Sequence, residues 1–138
     1  MIDPKLIDFL DSHRICVISS IQSDGSLHSA ACHFASTVTG ELIILTENTT
    51  RKVQNMLDGK SVNAAVTVGF SEEEWKTWQA TGTARVALKL EKELSDIYER
   101  KFKTILNLKP DSIFIIFSSL WYRYTEFKSD PKVIIESQ

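Results

Sequence analysis

Apolar and polar positions along the chain fall into short β-branched runs separated by turn residues, with three stretches of helical spacing among them. Residues 3–12 open with Asp3-Pro4, an N-cap followed by a first-turn proline, and place Leu6, Ile7, Phe9 and Leu10 on one face. That pattern predicts a short helix lying across the end of a sheet. The runs ICVISSI (15–21) and LHSAACHFAST (27–37) flank Asp24-Gly25, a pair suited to a tight turn with positive φ, and so predict a hairpin. A third strand over 41–47 follows Thr39-Gly40, and the three are expected to form an antiparallel meander. Small and β-branched residues over 61–70 predict a fourth strand. Residues 75–88 predict a fifth, in which Gly82 permits the bend that a closing sheet needs. Leu94, Ile97, Tyr98 and Phe102 recur at intervals of three and four, which predicts a helix over 91–103. One or two strands over 112–127 and a short one over 132–135 complete the chain. Six or more strands with regular turns argue for a small antiparallel barrel rather than a parallel α/β sheet, as one domain over 1–138.

Between the third and fourth strands stands LIILTENTTRKVQNM (42–56), in which Thr46, Thr49, Thr50, Arg51 and Lys52 lie close together. An α-helix is expected from Asn48 or Thr49, with Val53, Met56 and Leu57 as its buried stripe and Asp58-Gly59 as its end. Cations in the first turn oppose the helix dipole at about 0.3–1 kcal/mol each, so Arg51 and Lys52 with the threonine hydroxyls call for an anion, a phosphate or a carboxylate. Two solvated cations on a surface helix would leave the same local pattern.

Composition narrows the remaining choices. At 138 residues and 43% apolar content the chain can bury a core, and a net charge of -2 without blocks of like sign points away from nucleic acid and anionic membrane. Apolar runs such as 113–117 are too short to span a bilayer, and the N-terminus is acidic where a signal peptide is basic; a cytoplasmic location is expected. Cys16 and Cys32 are too few for a disulfide framework or a structural zinc site and read as reduced, buried small residues rather than a redox pair; if Asp24-Gly25 makes a hairpin, the two could lie near one another on adjacent strands. His28 and His33 point to opposite faces of a strand, which argues against a metal cluster with Cys32. No Gly-rich phosphate loop or Gly-x-Ser-x-Gly nucleophile is present, and no catalytic residue is identified. Trp75, Trp78, Trp121 and Tyr122 read as core or subunit-interface residues.

The order of elements, the stretch LTENTTRKVQNM, the small-residue strand after it and WKTWQATGTARV together resemble the FMN-binding split-barrel superfamily typified by pyridoxamine 5'-phosphate oxidase. The resemblance covers nearly the whole chain and is strongest over 15–88. It implies a mainly β, antiparallel split β-barrel in which Thr46, Arg51 and Lys52 hold the flavin phosphate, with Thr50 counted among the cofactor-binding residues. The second strand would lay its backbone along the isoalloxazine ring at Ala31, Cys32 and His33. Gly82-x-Ala84 matches the family's fifth strand, and Gln79 stands near the place of a family glutamine whose matching position holds Thr77. Leu45-Thr46-Glu47 with Thr50-Arg51, and Tyr98-x-Arg100-x-Phe102, are similar to a short bacterial subgroup. The arginine and the C-terminal Arg-Leu-x-Pro segment that clamp the vitamin B6 substrate have no counterpart in LHSAACHF or KVIIESQ. The resemblance therefore implies an FMN-binding homodimer with grooves between its subunits, acting as an oxidoreductase on a small molecule if it is an enzyme. Two alternatives stay open: a haem-handling split barrel with His33 or His28 as axial ligand, and a scaffold without cofactor.

Overall fold

In the computed structural model, which describes residues 2–57, 59–87 and 92–137, the elements run α1 (Pro4–Ser12), β1 (Ile15–Ile21), β2 (Leu27–His33), β3 (Ala35–Ser36), β4 (Leu42–Glu47), a 3₁₀ helix (Arg51–Met56), β5 (Val62–Val68), β6 (Lys76–Val86), α2 (Lys92–Phe102), β7 (Ser112–Glu126) and β8 (Val133–Glu136). The strands form one antiparallel sheet in the order β2-β1-β5-β6-β7-β4-β3, with β8 on the far half of β7. It is the split barrel that the sequence predicts. Of the predicted fifth strand and second long helix, Leu88 and Glu91 lie outside the described residues.

The expected three-strand meander is corrected. β1 and β2 form the hairpin, but β2 ends at His33, and fully buried Phe34 carries the chain into β3, which pairs with β4. β4 in turn pairs with β7, from Leu42–Phe117 to Glu47–Ser112. The reason lies in burial on both faces. Leu42 and Ile44 of β4 join Ile115 and Phe117 of β7 in the main core, while Ile43 joins Phe114 and Ile116 in a second core beneath Leu94 and Tyr98 of α2. Two strands apolar on both faces are most stable side by side, covered above and below.

α1 starts as predicted: Asp3 caps it, its carboxylate accepting from the Lys5 N–H at 2.8 Å, and Leu6, Phe9 and Leu10 plug the main core. Phe9 meets Tyr124 at 5.0 Å between ring centroids. The predicted bend at Gly82 is a β-bulge: Thr81 pairs with Trp121 and Gly82 with Ser119, so Leu120 has no partner in that ladder. Trp78 is core, whereas Trp75 is exposed and Trp121 donates from Nε1 to Glu136 at 2.9 Å. None of the described helices is long and apolar enough to cross a membrane.

Candidate functional site

Because the chain changes partner at Phe34, β2 pairs with β1 and β4 with β3 and β7, leaving a gap in the ladder between β2 and β4. Counted onward from the Ala35–Ile43 pair, His33 corresponds to Leu45, Cys32 to Thr46 and Ala31 to Glu47, although β2 and β4 are not themselves laddered. Two groups of sequence-predicted residues thus become the two lips of one gap.

On the β4 side the expected α-helix is corrected to the 3₁₀ helix Arg51–Met56. Thr50 is its N-cap but makes no side-chain capping bond. Its hydroxyl instead donates to the Glu47 carbonyl at 2.9 Å and lies 3.3 Å from the Thr46 hydroxyl. Threonine turn bonds of this kind compete with α-helix formation. The 3₁₀ repeat also redraws the buried stripe, since side chains three apart eclipse: Val53 and Met56 are buried and Leu57 is 46% exposed. So short an element has little macrodipole. Any case for an anion therefore rests on the side chains of Thr46, Thr50, Arg51 and Lys52, of which the two threonine hydroxyls stand 3.3 Å apart. Asp58, half of the expected helix end, lies outside the described residues.

Neither Arg51 nor Lys52 takes part in an ion pair among the described residues. Arg51 donates from Nε to Gln22 Oε1 at 3.1 Å, and Asn55 donates to the Ile21 carbonyl at 2.7 Å, so the 3₁₀ helix is moored to the end of β1. Sequence reading passed over Gln22 and Asn55. Their only signal was a position beside a turn and a spacing of four from Arg51, neither of which implies contact. The field of Lys52 reaches Cys32 across the gap and helps hold its thiol below the usual range, after the larger effect of a hydrogen bond from Cys16.

On β2 the side chains alternate. Ala31 and His33 are exposed on the outer face, and Cys32 turns inward toward Cys16. His33 packs 5.4 Å from the Phe102 ring. His28 lies on the inner side, opposite in face to His33, as their spacing predicts. Among the described residues no three metal-ligating side chains converge.

Gln79 is not gathered with the others within one protomer. It is exposed on the outer face of β6, beside Thr67 and Arg123 in register, with β1 and β5 between its strand and β2. The same outward face carries Thr81, which with Ser19, Ile21, Leu27, Ala65 and Leu120 lines an open apolar hollow of about 440 Å³. Leu27 and Leu120 there are 74% and 77% exposed.

No family model and no curated protein sequence matches the chain. Solved structures do. A Clostridium acetobutylicum protein described as related to general stress protein 26, of the pyridoxinephosphate oxidase family, superposes with a TM-score of 0.66 at 15% identity, over 98% of this chain and 96% of that one. A pyridoxamine 5'-phosphate oxidase-related, FMN-binding protein of Nostoc punctiforme gives 0.65 at 9% identity, over 96% and 89%. Campylobacter jejuni ChuZ gives 0.73 at 14% identity, over 95% of this chain and 57% of its own length. At such identities the likeness is one of fold.

Proposed function

We propose that this chain, whose fold is the pyridoxamine 5'-phosphate oxidase-like split barrel, binds flavin mononucleotide in the gap between β2 and β4. The observation that carries the reading is the position of Arg51 and Lys52. Two cations without ion pairs among the described residues follow the Thr46 and Thr50 hydroxyls on the β4 side of the gap, and Ala31–His33 lie on the β2 side. The donor set suits a phosphate dianion, which both side chains can reach with charge-assisted hydrogen bonds. Lys52 and Arg51 would hold the phosphate. The N–H groups of the β2 edge would meet the ring's polar rim, and Ala31 would leave the ring face uncovered. When bound, the flavin supplies two-electron redox chemistry, for which the protein contributes position and electrostatics. On this reading the protein is an oxidoreductase of a small molecule admitted over Ala31.

The apolar hollow supports a homodimer as the working form. Exposed Ile21, Leu27 and Leu120 form a patch that a second copy would cover, and Gln79 projects from the same sheet face. In that arrangement Gln79 of one subunit serves the groove of the other, which accounts for its separation from Thr46–Lys52 within one chain.

The test is a titration of the purified protein with FMN and with riboflavin, followed by flavin fluorescence. FMN should bind tighter by tenfold or more, since one charge-assisted bond contributes about 1.5–3 kcal/mol. Equal affinities, or no binding of either, would overturn the phosphate site.

A further inference from the structure

We propose that Cys16 and Cys32 form a peroxide-responsive dithiol, with Cys32 the thiol that meets the oxidant and Cys16 the one that resolves it into a cross-strand disulfide. The two residues are direct partners in the β1–β2 ladder, and their sulfurs stand 3.7 Å apart. The Phe34 N–H donates to the Arg14 carbonyl at 3.1 Å, and the alternation of the ladder puts Cys16 and Cys32 in the same hydrogen-bonded class of pair. Such pairs hold their Cα atoms about 5.5 Å apart, inside the span of roughly 4.4–6.8 Å that a disulfide bridges. Forming the bond closes the sulfurs from 3.7 Å to about 2.05 Å. The chain has two cysteines, so each is the other's sole intramolecular partner.

The roles follow from unequal surroundings. Cys16 is fully buried in the main core, whereas Cys32 is only partly buried against it and is the more accessible of the two. The neighbouring sulfur and burial push the Cys16 thiol up, while the contact with Cys16 and the field of Lys52 pull the Cys32 thiol down. The thiolate is the nucleophile. In the first step the Cys32 sulfur attacks one oxygen of a hydroperoxide. An S–O bond forms, the O–O bond breaks, and the departing oxygen takes a proton to leave as water or an alcohol. In the second step the Cys16 sulfur attacks Cys32, an S–S bond replaces the S–O bond, and the leaving hydroxide takes the Cys16 proton as water. Two thiols are oxidised by two electrons and one peroxide is reduced. The closed bond fastens β1 to β2 at the Cys16–Cys32 pair.

The experiment treats the reduced full-length protein with hydrogen peroxide, then unfolds it, alkylates free thiols and weighs it intact. The expected product is a monomer lighter by two hydrogen atoms that accepts no alkylating group and reverts in dithiothreitol, forming several-fold faster from folded than from urea-unfolded protein. In Cys16→Ser, Cys32 should be trapped by dimedone as a sulfenic acid. In Cys32→Ser, Cys16 should keep its thiol at the same dose. Two alkylatable thiols in peroxide-treated wild type, a bond between chains, or equal rates folded and unfolded would each overturn the proposal. The wild-type measurements decide it even if a variant fails to fold.

Discussion

A methyl group on Gly82 would stand 2.0 Å from the carbonyl oxygen of Ser118 and 2.9 Å from the Cα of Ser119. Both are backbone atoms of β7, held in register on either side of the bulge, so neither can yield by a change of rotamer. Gly82→Ala is expected to cost at least about 1–3 kcal/mol, as overpacking does. A denaturant midpoint unchanged from wild type would mean that the bulge relaxes freely and that Gly82 is not what lets β6 and β7 approach.

Arg51→Ala and Lys52→Ala should each weaken FMN binding by tenfold or more, by loss of about 1.5–3 kcal/mol of charge-assisted hydrogen bonding, while riboflavin affinity moves little. The two effects should differ in one respect. Arg51 also holds Gln22, so its loss frees the 3₁₀ helix from the end of β1 on that side, whereas Lys52 makes no hydrogen bond to another side chain among the described residues. Thermal melts of the two variants check this: Arg51→Ala should lower the melting temperature more than Lys52→Ala does.

The two sides of the site were unequally legible in the sequence. Thr46, Thr50, Arg51 and Lys52 are contiguous, so local chemistry alone marked them. The Cys16–Cys32 pairing followed from one recognisable turn at Asp24-Gly25. The partner exchange at Phe34 was hidden, because a buried aromatic inside LHSAACHFAST reads as one more strand residue, and a change of neighbour leaves no mark on alternation. The β4–β7 pairing could have been inferred: LII and FIIF are both apolar at every position, and that pattern belongs to strands covered on both faces. The 3₁₀ geometry after Thr50 turns on which carbonyl its hydroxyl finds, a choice between close competitors that residue spacing does not weigh.

Lys101 carries a dependence on pH. Its ammonium lies 3.8 Å from the Phe34 ring centroid and donates to the Leu10 carbonyl at 3.0 Å. Burial pushes its pKa down from 10.5 to about 8, with Asp11 and Cys16 opposing and Arg14 adding to the fall. Below pH about 8 both folded and unfolded chains hold the proton, and the folded one bears the cost of burying the charge. Between about 8 and 10.5 the folded chain releases it while the unfolded chain keeps it, so stability gains as pH rises through that window. Urea unfolding across this range should show wild type gaining relative to Lys101→Met. Parallel profiles would mean that Lys101 titrates as a solvated lysine.

Ala31→Trp probes the strand that the flavin ring would lie against. Residue 31 is on the exposed outer face of β2, opposite Val17 and between inward-facing Ala30 and Cys32, so an indole there meets no core atoms. The overpacking cost of about 1–3 kcal/mol expected at a buried site should therefore be absent. On the proposed arrangement the indole occupies the space over the ring, and FMN binding should fall by at least tenfold with the melting temperature close to that of wild type. Sedimentation must accompany the titration, because the groove is proposed to lie between subunits and a bulky residue near it could act by separating them. Lost binding in a variant that remains a dimer puts the ring against residue 31. Undiminished binding in that dimer moves the ring off β2 and leaves Thr46, Thr50, Arg51 and Lys52 to hold a phosphate whose aromatic end points elsewhere.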